Sequence, residues 1–335
     1  MKDDLKYNQS TAKEEKRIFG VKSIYVIVVL VLMALAAVLS TLFGNCNSST
    51  NVPSTSSEPQ VKPDAQAPVI QNEGSETVSD EQEDEGTFDD KQKIILLPNG
   101  VELCLIKVEK GSFRMGSSEK AENEKRHLVH ITKDYWLGKY EVTQEQWMAL
   151  MGGNPSHFKK EGKYPVESVS WNDAMDFCQK LTEIERSAGR LPDGYVYTLP
   201  TEAQWEYAAR CRGKYGDRLY SGGSKIDILG WYAGNSDKVS HPVGGKRPNE
   251  LGLHDMTGNV WEWCLDRSHI GSITNTYIDD ISDPCCTMGS YRIFRGGSWS
   301  NGAWSCRVAF RISREPRRVR INDIGFRVAL APEIK

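Results

Sequence analysis

The sequence predicts an α+β domain with few helices and a large irregular fraction, carried behind an N-terminal transmembrane helix. Three observations lead there. Residues 24–43 form an uncharged apolar run. Beyond residue 94, three helix starts and several short strand-like runs are recognisable. After Tyr232 the chain stays rich in Trp, Gly and Asn but shows little periodicity of either kind.

Taken in order, residues 1–23 read as a cytoplasmic segment. The run 24–43, IYVIVVLVLMALAAVLSTLF, has the length a helix needs to cross a bilayer. Lys13, Lys16, Arg17 and Lys22 precede it, and no Lys or Arg follows until Lys62. The positive-inside rule then places the rest of the chain outside the cytoplasm, making this a single-pass cell-membrane protein with an extracytoplasmic domain. The run is long for a cleaved signal peptide, and Phe43-Gly44-Asn45 before Cys46 is a poor lipoprotein signal. An uncleaved anchor is preferred. Residues 44–93, rich in Ser, Thr, Pro, Asp and Glu, bury too little apolar surface to offset ordering entropy and read as a solvated acidic spacer.

Residues 94–335 carry the folded domain. Thr143, Ser170 and Thr201 each start a helix, with Gln146, Asp173 and Gln204 three residues on as capping partners and Gly152 as a C-cap. Strand-like runs are VELCLIKVEKGSFRMG and HLVHITKDYWLGKYEV. The composition is globular, with 39% hydrophobic and 26% charged residues. A net charge of −3 provides no basic field for nucleic acid. The eight cysteines form neither a CxxC pair nor a zinc-type cluster.

An ordered series of motifs then stands out. Phe113-Arg114-Met115-Gly116 precedes Gly138-Lys139-Tyr140-Glu141-Val142-Thr143. Val169-Ser170-Trp171-Asn172-Asp173-Ala174 comes next, then Leu199-Pro200-Thr201-Glu202-Ala203 and Trp205-Glu206-Tyr207-Ala208-Ala209-Arg210. Gly258-Asn259-Val260-Trp261-Glu262-Trp263, Arg295-Gly296-Gly297-Ser298-Trp299 and Ile324-Gly325-Phe326-Arg327 close it. In their order and spacing these resemble the formylglycine-generating enzyme, or sulfatase-modifying factor, family. The resemblance implies one compact C-type-lectin-like domain, often calcium-bound. The family's best-known members use oxygen and copper to oxidise a client cysteine. Its other members include iron-dependent sulfoxide synthases, envelope lipoproteins and ligand-binding variable proteins, so membership alone does not set the activity.

Enzymes of this family carry two cysteines after Gly-Gly-Ser that bind Cu(I). Here Ser298 and Cys306 match the family positions, and Asn301 replaces the first cysteine. A neutral amide oxygen is a poor substitute for a soft thiolate, so copper is not expected. Cys306 is read as a buried small hydrophobe rather than a residual metal ligand or redox thiol. Ser298 is read as a turn residue rather than a catalytic one. No His-x3-His-x-Glu motif exists, so iron is not expected, and His127 and His130 fall on opposite faces of a strand. The resemblance places calcium on Asp255 and Glu262 carboxylates with Gly258 and Val260 carbonyls, a hard oxygen set suited to the ion. The other reading is that Glu262 only hydrogen-bonds backbone. A second calcium loop would involve Asn235 and Ser236, where the chain is short.

The C-terminal arginines, Arg307, Arg311, Arg314, Arg317, Arg318, Arg320 and Arg327, offer two readings. One is a basic surface for an anionic glycan. The other is internal pairing with acids and stacking on Trp, to which Arg327 is assigned. Cys178 matches a family disulfide position whose partner here is Val328. Two functions remain open: a binding or scaffold domain for a protein or glycan ligand, and oxidative modification of a client protein.

Overall fold

A computed structural model describes residues 91–334 except 119–123, 161, 270–278 and 318. The chain divides into two units, Met1–Asp80 and Glu81–Lys335. The expected cytoplasmic segment, the anchor over 24–43 and nearly all of the spacer lie outside the described residues, as does Arg318. Among the described residues no helix is long and apolar enough to cross a membrane.

The domain opens with β1 (Gln92–Leu97), which starts two residues inside the stretch expected to be spacer. It continues through β2 (Val101–Val108), β3 (Gly111–Met115), β4 (His127–Ile131) and β5 (Tyr135–Gly138). Helices α1 (Gln144–Met151) and α2 (Trp171–Ser187) follow, then β6 (Tyr195–Thr198) and α3 (Glu202–Ala209). Each helix is closed by the capping box its sequence announces. Thr143 and Gln146, Ser170 and Asp173, and Thr201 and Gln204 exchange side-chain and backbone bonds reciprocally. Gly152 ends α1 at φ +97 and returns its N–H to Met148.

The second half contains a short helix α4 (Ile226–Leu229), then β7 (Trp261–Ser268), β8 (Ile281–Ser282) and β9 (Tyr291–Arg295). Strands β10 (Arg311–Arg314), β11 (Ile324–Gly325) and β12 (Ala329–Pro332) complete it. The strands build a five-stranded sheet β1-β2-β5-β12-β6, a four-stranded sheet β10-β9-β7-β11 and a three-stranded sheet β3-β4-β8. The stretch after Tyr232, which shows little periodicity in sequence, supplies β7 to β12. Strand β7 is buried on nearly every residue, so it shows no alternation to read.

Two large apolar clusters and a small third one, around Tyr220, Ile226 and Leu229, fill the interior. Trp147, Phe177, Trp263, Phe294 and Phe326 lie in one, and Phe113, Tyr135, Leu137, Trp205 and Tyr207 in the other. Cys178 and Val328 are both buried in the first, so the family bridge has no second thiol. The described cysteines are all unpaired with one another. Arginines hold the elements together from inside. Arg295 on β9 meets Glu202 at 2.9 Å, Glu206, and the carbonyl of Val308 at 2.7 Å, all fully or nearly fully buried. Arg311 pairs with Glu202, with its Nε at 2.7 Å, and Arg210 pairs with Glu206 at 2.7 Å. Arg307 grips Glu124 through two 3.0 Å bonds and lies 3.6 Å from the ring of Trp304. Thus Arg307 and Arg311 follow the internal-pairing reading, as does Arg327, which is fully buried against Glu262. Arg320 instead makes a surface pair with Asp173 at 2.8 Å, and Arg314 stays exposed.

Candidate functional site

Three irregular loops meet beside β7 and carry the residues the sequence points to. The loop 255–262 enters β7 through left-handed residues, with φ of +55 at Asp255, +76 at Gly258 and +63 at Asn259. Gly258 is required there, since a Cβ would lie 2.0 Å from the Trp231 carbonyl oxygen. Glu262 is fully buried and spends its carboxylate on side chains. Its Oε1 accepts Arg327 Nη2 at 2.5 Å, and its Oε2 accepts Arg327 Nε at 2.6 Å and Trp205 Nε1 at 2.7 Å. Neither of the two roles considered for Glu262, ion ligand or backbone acceptor, includes this pairing. Arg327 also donates to the carbonyls of Gly138 and His254.

Asp255 stands apart from that pair. Its Oδ2 accepts the Gly244 N–H at 2.7 Å, while its buried Oδ1 has no partner. Glu141, just ahead of α1, closes the third side. Its Oε1 accepts the Val260 N–H at 2.9 Å and its Oε2 accepts Asn259 Nδ2 at 2.6 Å. Three buried carboxylates therefore surround one guanidinium. Burial, followed by the charges of Asp255 and Glu262, pushes Glu141 well above the usual carboxylate range. Burial raises Asp255 to about 6. Burial opposes the charge on Arg327, yet Glu262 holds its pKa above the ordinary value. For calcium, the donors left at this loop are Asp255 Oδ1 and the carbonyls of Gly258 and Val260, and Glu262 would have to leave Arg327 to join them.

The loop from Gly296 to Cys306 lies alongside. Gly297 has φ +76, and a Cβ there would sit 2.5 Å from Cys306 Sγ, so glycine makes room for the thiol. Cys306 ends a 3₁₀ turn, Ala303–Cys306, and is buried among Tyr220, Ile226 and Leu229. Burial pushes its thiol up to about 12. Asn301 does not approach it through any hydrogen bond. Its Oδ1 lies 2.5 Å from Ser298 Oγ, and its backbone oxygen accepts Ala233 N–H at 2.9 Å. Ser298 Oγ also lies 3.0 Å from Asp323 Oδ2 and 3.1 Å from Ser300 Oγ. The residues matching the family's copper centre are thus divided between an apolar pocket holding a protonated thiol and a polar corner built of oxygens. The pair of thiolates that the resemblance ties to Cu(I) is reduced here to the single Cys306.

The loop carrying Asn235 and Ser236 is tied to the same corner. Asn235 Oδ1 accepts the Tyr232 N–H at 2.9 Å, Ser236 Oγ donates to the Trp299 carbonyl at 2.8 Å, and the Ser236 carbonyl faces His241 Nε2 at 2.8 Å. His127 and His130 occupy opposite faces of β4, one buried and one half-exposed. Among the described residues no three His, Cys, Asp or Glu side chains converge as a metal cage. Sequence reasoning did not single out Glu141 or Asp323. Glu141 lay in plain view within the Lys-Tyr-Glu-Val-Thr motif, whereas nothing marks Asp323 until the fold brings it to Ser298.

The family described as "Sulfatase-modifying factor enzyme 1-like domain" matches residues 102–332. The chain is 32% identical over 265 residues to the chaperone protein LppX of Paenibacillus barcinonensis, covering 66% of this chain and 85% of the relative. It is 37% identical over 194 residues to the formylglycine-generating enzyme of Streptomyces coelicolor, covering 53% of this chain and 54% of that enzyme. The chain therefore spans about half the length of that enzyme. Among solved structures, Treponema denticola variable protein 1 superposes with a TM-score of 0.64 at 32% identity, covering 72% of this chain and 99% of that one. The chain belongs to the formylglycine-generating, or sulfatase-modifying factor, family and has its C-type-lectin-like α+β fold.

Proposed function

We propose that this protein is a membrane-anchored, extracytoplasmic binding or scaffold member of the family, which takes a protein or anionic glycan ligand and does not oxidise a client cysteine. The observation that carries this reading is the divided centre. Asn301 turns to Ser298, and Cys306 is buried with its thiol pushed up to about 12. A thiol in that state is almost wholly protonated at neutral pH and is neither an effective nucleophile nor a ready copper ligand. The likeness to a protein named as a chaperone and to a variable protein, each at 32% identity, supports a binding role. Trp304, 58% exposed and stacked under Arg307, offers a contact surface next to the corner. Calcium enters this reading as a structural ion at Asp255, Gly258 and Val260. The anchor over 24–43 holds the domain at the membrane.

The test measures Cu(I) affinity by competition with a chelator, for the wild-type domain and Asn301→Cys. The mass of a sulfatase-type cysteine peptide is followed in the same samples. The wild type should bind copper weakly and leave the peptide mass unchanged, and Asn301→Cys should bind more tightly by orders of magnitude. Tight binding or a peptide mass change in the wild type would return the protein to the oxidoreductases.

A further inference from the structure

We infer that the corner formed by Ser298, Ser300, Asn301 and Asp323 binds a divalent cation through hard oxygen donors. Four oxygen–oxygen contacts are packed together. Ser298 Oγ lies 2.5 Å from Asn301 Oδ1, 3.0 Å from Asp323 Oδ2 and 3.1 Å from Ser300 Oγ, and Ser300 Oγ lies 2.8 Å from Asp323 Oδ2. Only the two hydroxyls carry protons to share among them. Turning the Asn301 amide supplies one further proton. It still leaves one contact lone pair to lone pair, and it leaves Asp323 Oδ1 untouched.

That second carboxylate oxygen is the independent observation. Asp323 Oδ1 is shielded from solvent and has no hydrogen-bond partner. Several buried carboxylates elsewhere are matched to arginine, Glu124 to Arg307, Glu202 to Arg295 and Arg311, Glu206 to Arg210 and Arg295, and Glu262 to Arg327, while Glu141 and Asp255 rest on backbone and amide N–H donors. Among the described residues no Lys or Arg pairs with Asp323. Asp323 is half-buried, its shielded Oδ1 has no donor and its Oδ2 meets two hydroxyls, and a divalent cation would bring the positive charge that this corner lacks.

The corner is also held in place. The Asp323 carbonyl accepts the Trp261 N–H at 2.8 Å, and Trp299 is fixed by its N–H to Asn259 and its Nε1 to the Asn322 carbonyl at 3.0 Å. Ser300 is exposed and Asn301 partly so, leaving a path to water that completes the coordination. With a single carboxylate the affinity belongs at the weak end of calcium sites, on the order of 10⁻⁴ to 10⁻³ M, which suits an extracellular module. The inference rests on the oxygens themselves, so it stands or falls separately from the absence of catalysis.

Terbium is the probe, because Trp299 adjoins the corner and can sensitise its emission. The domain, stripped with chelator, is titrated with Tb³⁺ and then back-titrated with Ca²⁺ and with Mg²⁺. Wild type should give tryptophan-sensitised emission that Ca²⁺ or Mg²⁺ displaces. Asp323→Asn and Ser300→Ala should each weaken it, Asp323→Asn by roughly tenfold or more through loss of the ligand charge. Ser300→Ala covers the case in which Asp323→Asn disturbs the fold, since the Ser300 side chain is exposed and its hydroxyl hydrogen-bonds within this corner. Asp255→Asn should leave the signal in place. Emission lost with Asp255→Asn but kept with both Asp323→Asn and Ser300→Ala would assign the ion to the other loop and overturn the proposal. No emission from folded wild type would overturn it as well.

Discussion

Asp255→Asn isolates the charge that the 255–262 loop carries into the core. Asp255 is 2% exposed, its Oδ1 has no partner, and burial lifts its carboxyl from the ordinary 3.8 to about 6. A rise of roughly 2 units corresponds to about 3 kcal/mol. The folded carboxyl holds its proton more tightly than the unfolded chain does. Its favourable contribution is complete below about pH 4 and is lost as pH rises through about 6. Asn keeps an oxygen for the Gly244 N–H and removes the charge. In chelator at pH 7 the variant should therefore be more stable than wild type by up to about 3 kcal/mol, and the gap should close toward pH 4. Urea unfolding at the two pH values measures it. Calcium should narrow the gap from the other side. Bound at Asp255, it stabilises wild type by about 2.7 kcal/mol at a hundredfold excess over its dissociation constant and leaves the variant unmoved. A variant less stable than wild type at pH 7, or a gap independent of pH, would refute the account of this loop. Glu262→Gln cannot serve here, because it also breaks the pair with Arg327.

Two further outcomes are expected. Arg295→Met should cost about 3–5 kcal/mol in urea unfolding, because the carbonyls of Val308 and Ala309 lose their donor and the buried Glu202 and Glu206 lose a positive partner; a loss under about 1 kcal/mol would show that Arg210 and Arg311 suffice. Protease added to right-side-out cells with the outer barrier opened should cut within residues 44–93 and release the domain. A domain protected while a known exported protein is digested would reverse the proposed orientation.

What the sequence discloses is what is local. The three helix starts were legible because a capping box needs only residues three apart, as at Ser170 and Asp173, where Asp173 Oδ2 accepts the Ser170 N–H at 2.7 Å. Strands β2 and β4 were legible through their alternation. Strand β7 was not, since both its faces are covered and Trp261, Glu262, Trp263 and Cys264 are all buried. The roles of the charged residues were harder still to see. Glu262 and Arg327 stand 65 residues apart, and Arg307 and Glu124 stand 183 apart. No spacing rule connects such pairs. The Asn301 in place of the family's cysteine was plain from one letter, but Asp323, which meets Ser298 and Ser300, becomes visible only when β11 packs parallel to β7 and carries the preceding loop with it.

The irregular part of this domain is not loosely built, and its wiring ties the two candidate cation loops to each other. Gly258 donates its N–H to the Gly296 carbonyl at 2.8 Å, and the Asn259 carbonyl accepts the Trp299 N–H at 2.8 Å. The Asn259 side chain reaches Glu141 at 2.6 Å and accepts the His241 N–H at 2.9 Å. Asn259 thus bridges the Asp255 loop, the Ser298 loop and the loop carrying Ser236. Backbone that in a sheet would be satisfied by a ladder is satisfied here by side chains and by neighbouring loops. An ion that orders either loop stiffens backbone the other also uses, so binding at one lowers the ordering entropy left for the second. By linkage that coupling has to be equal in both directions.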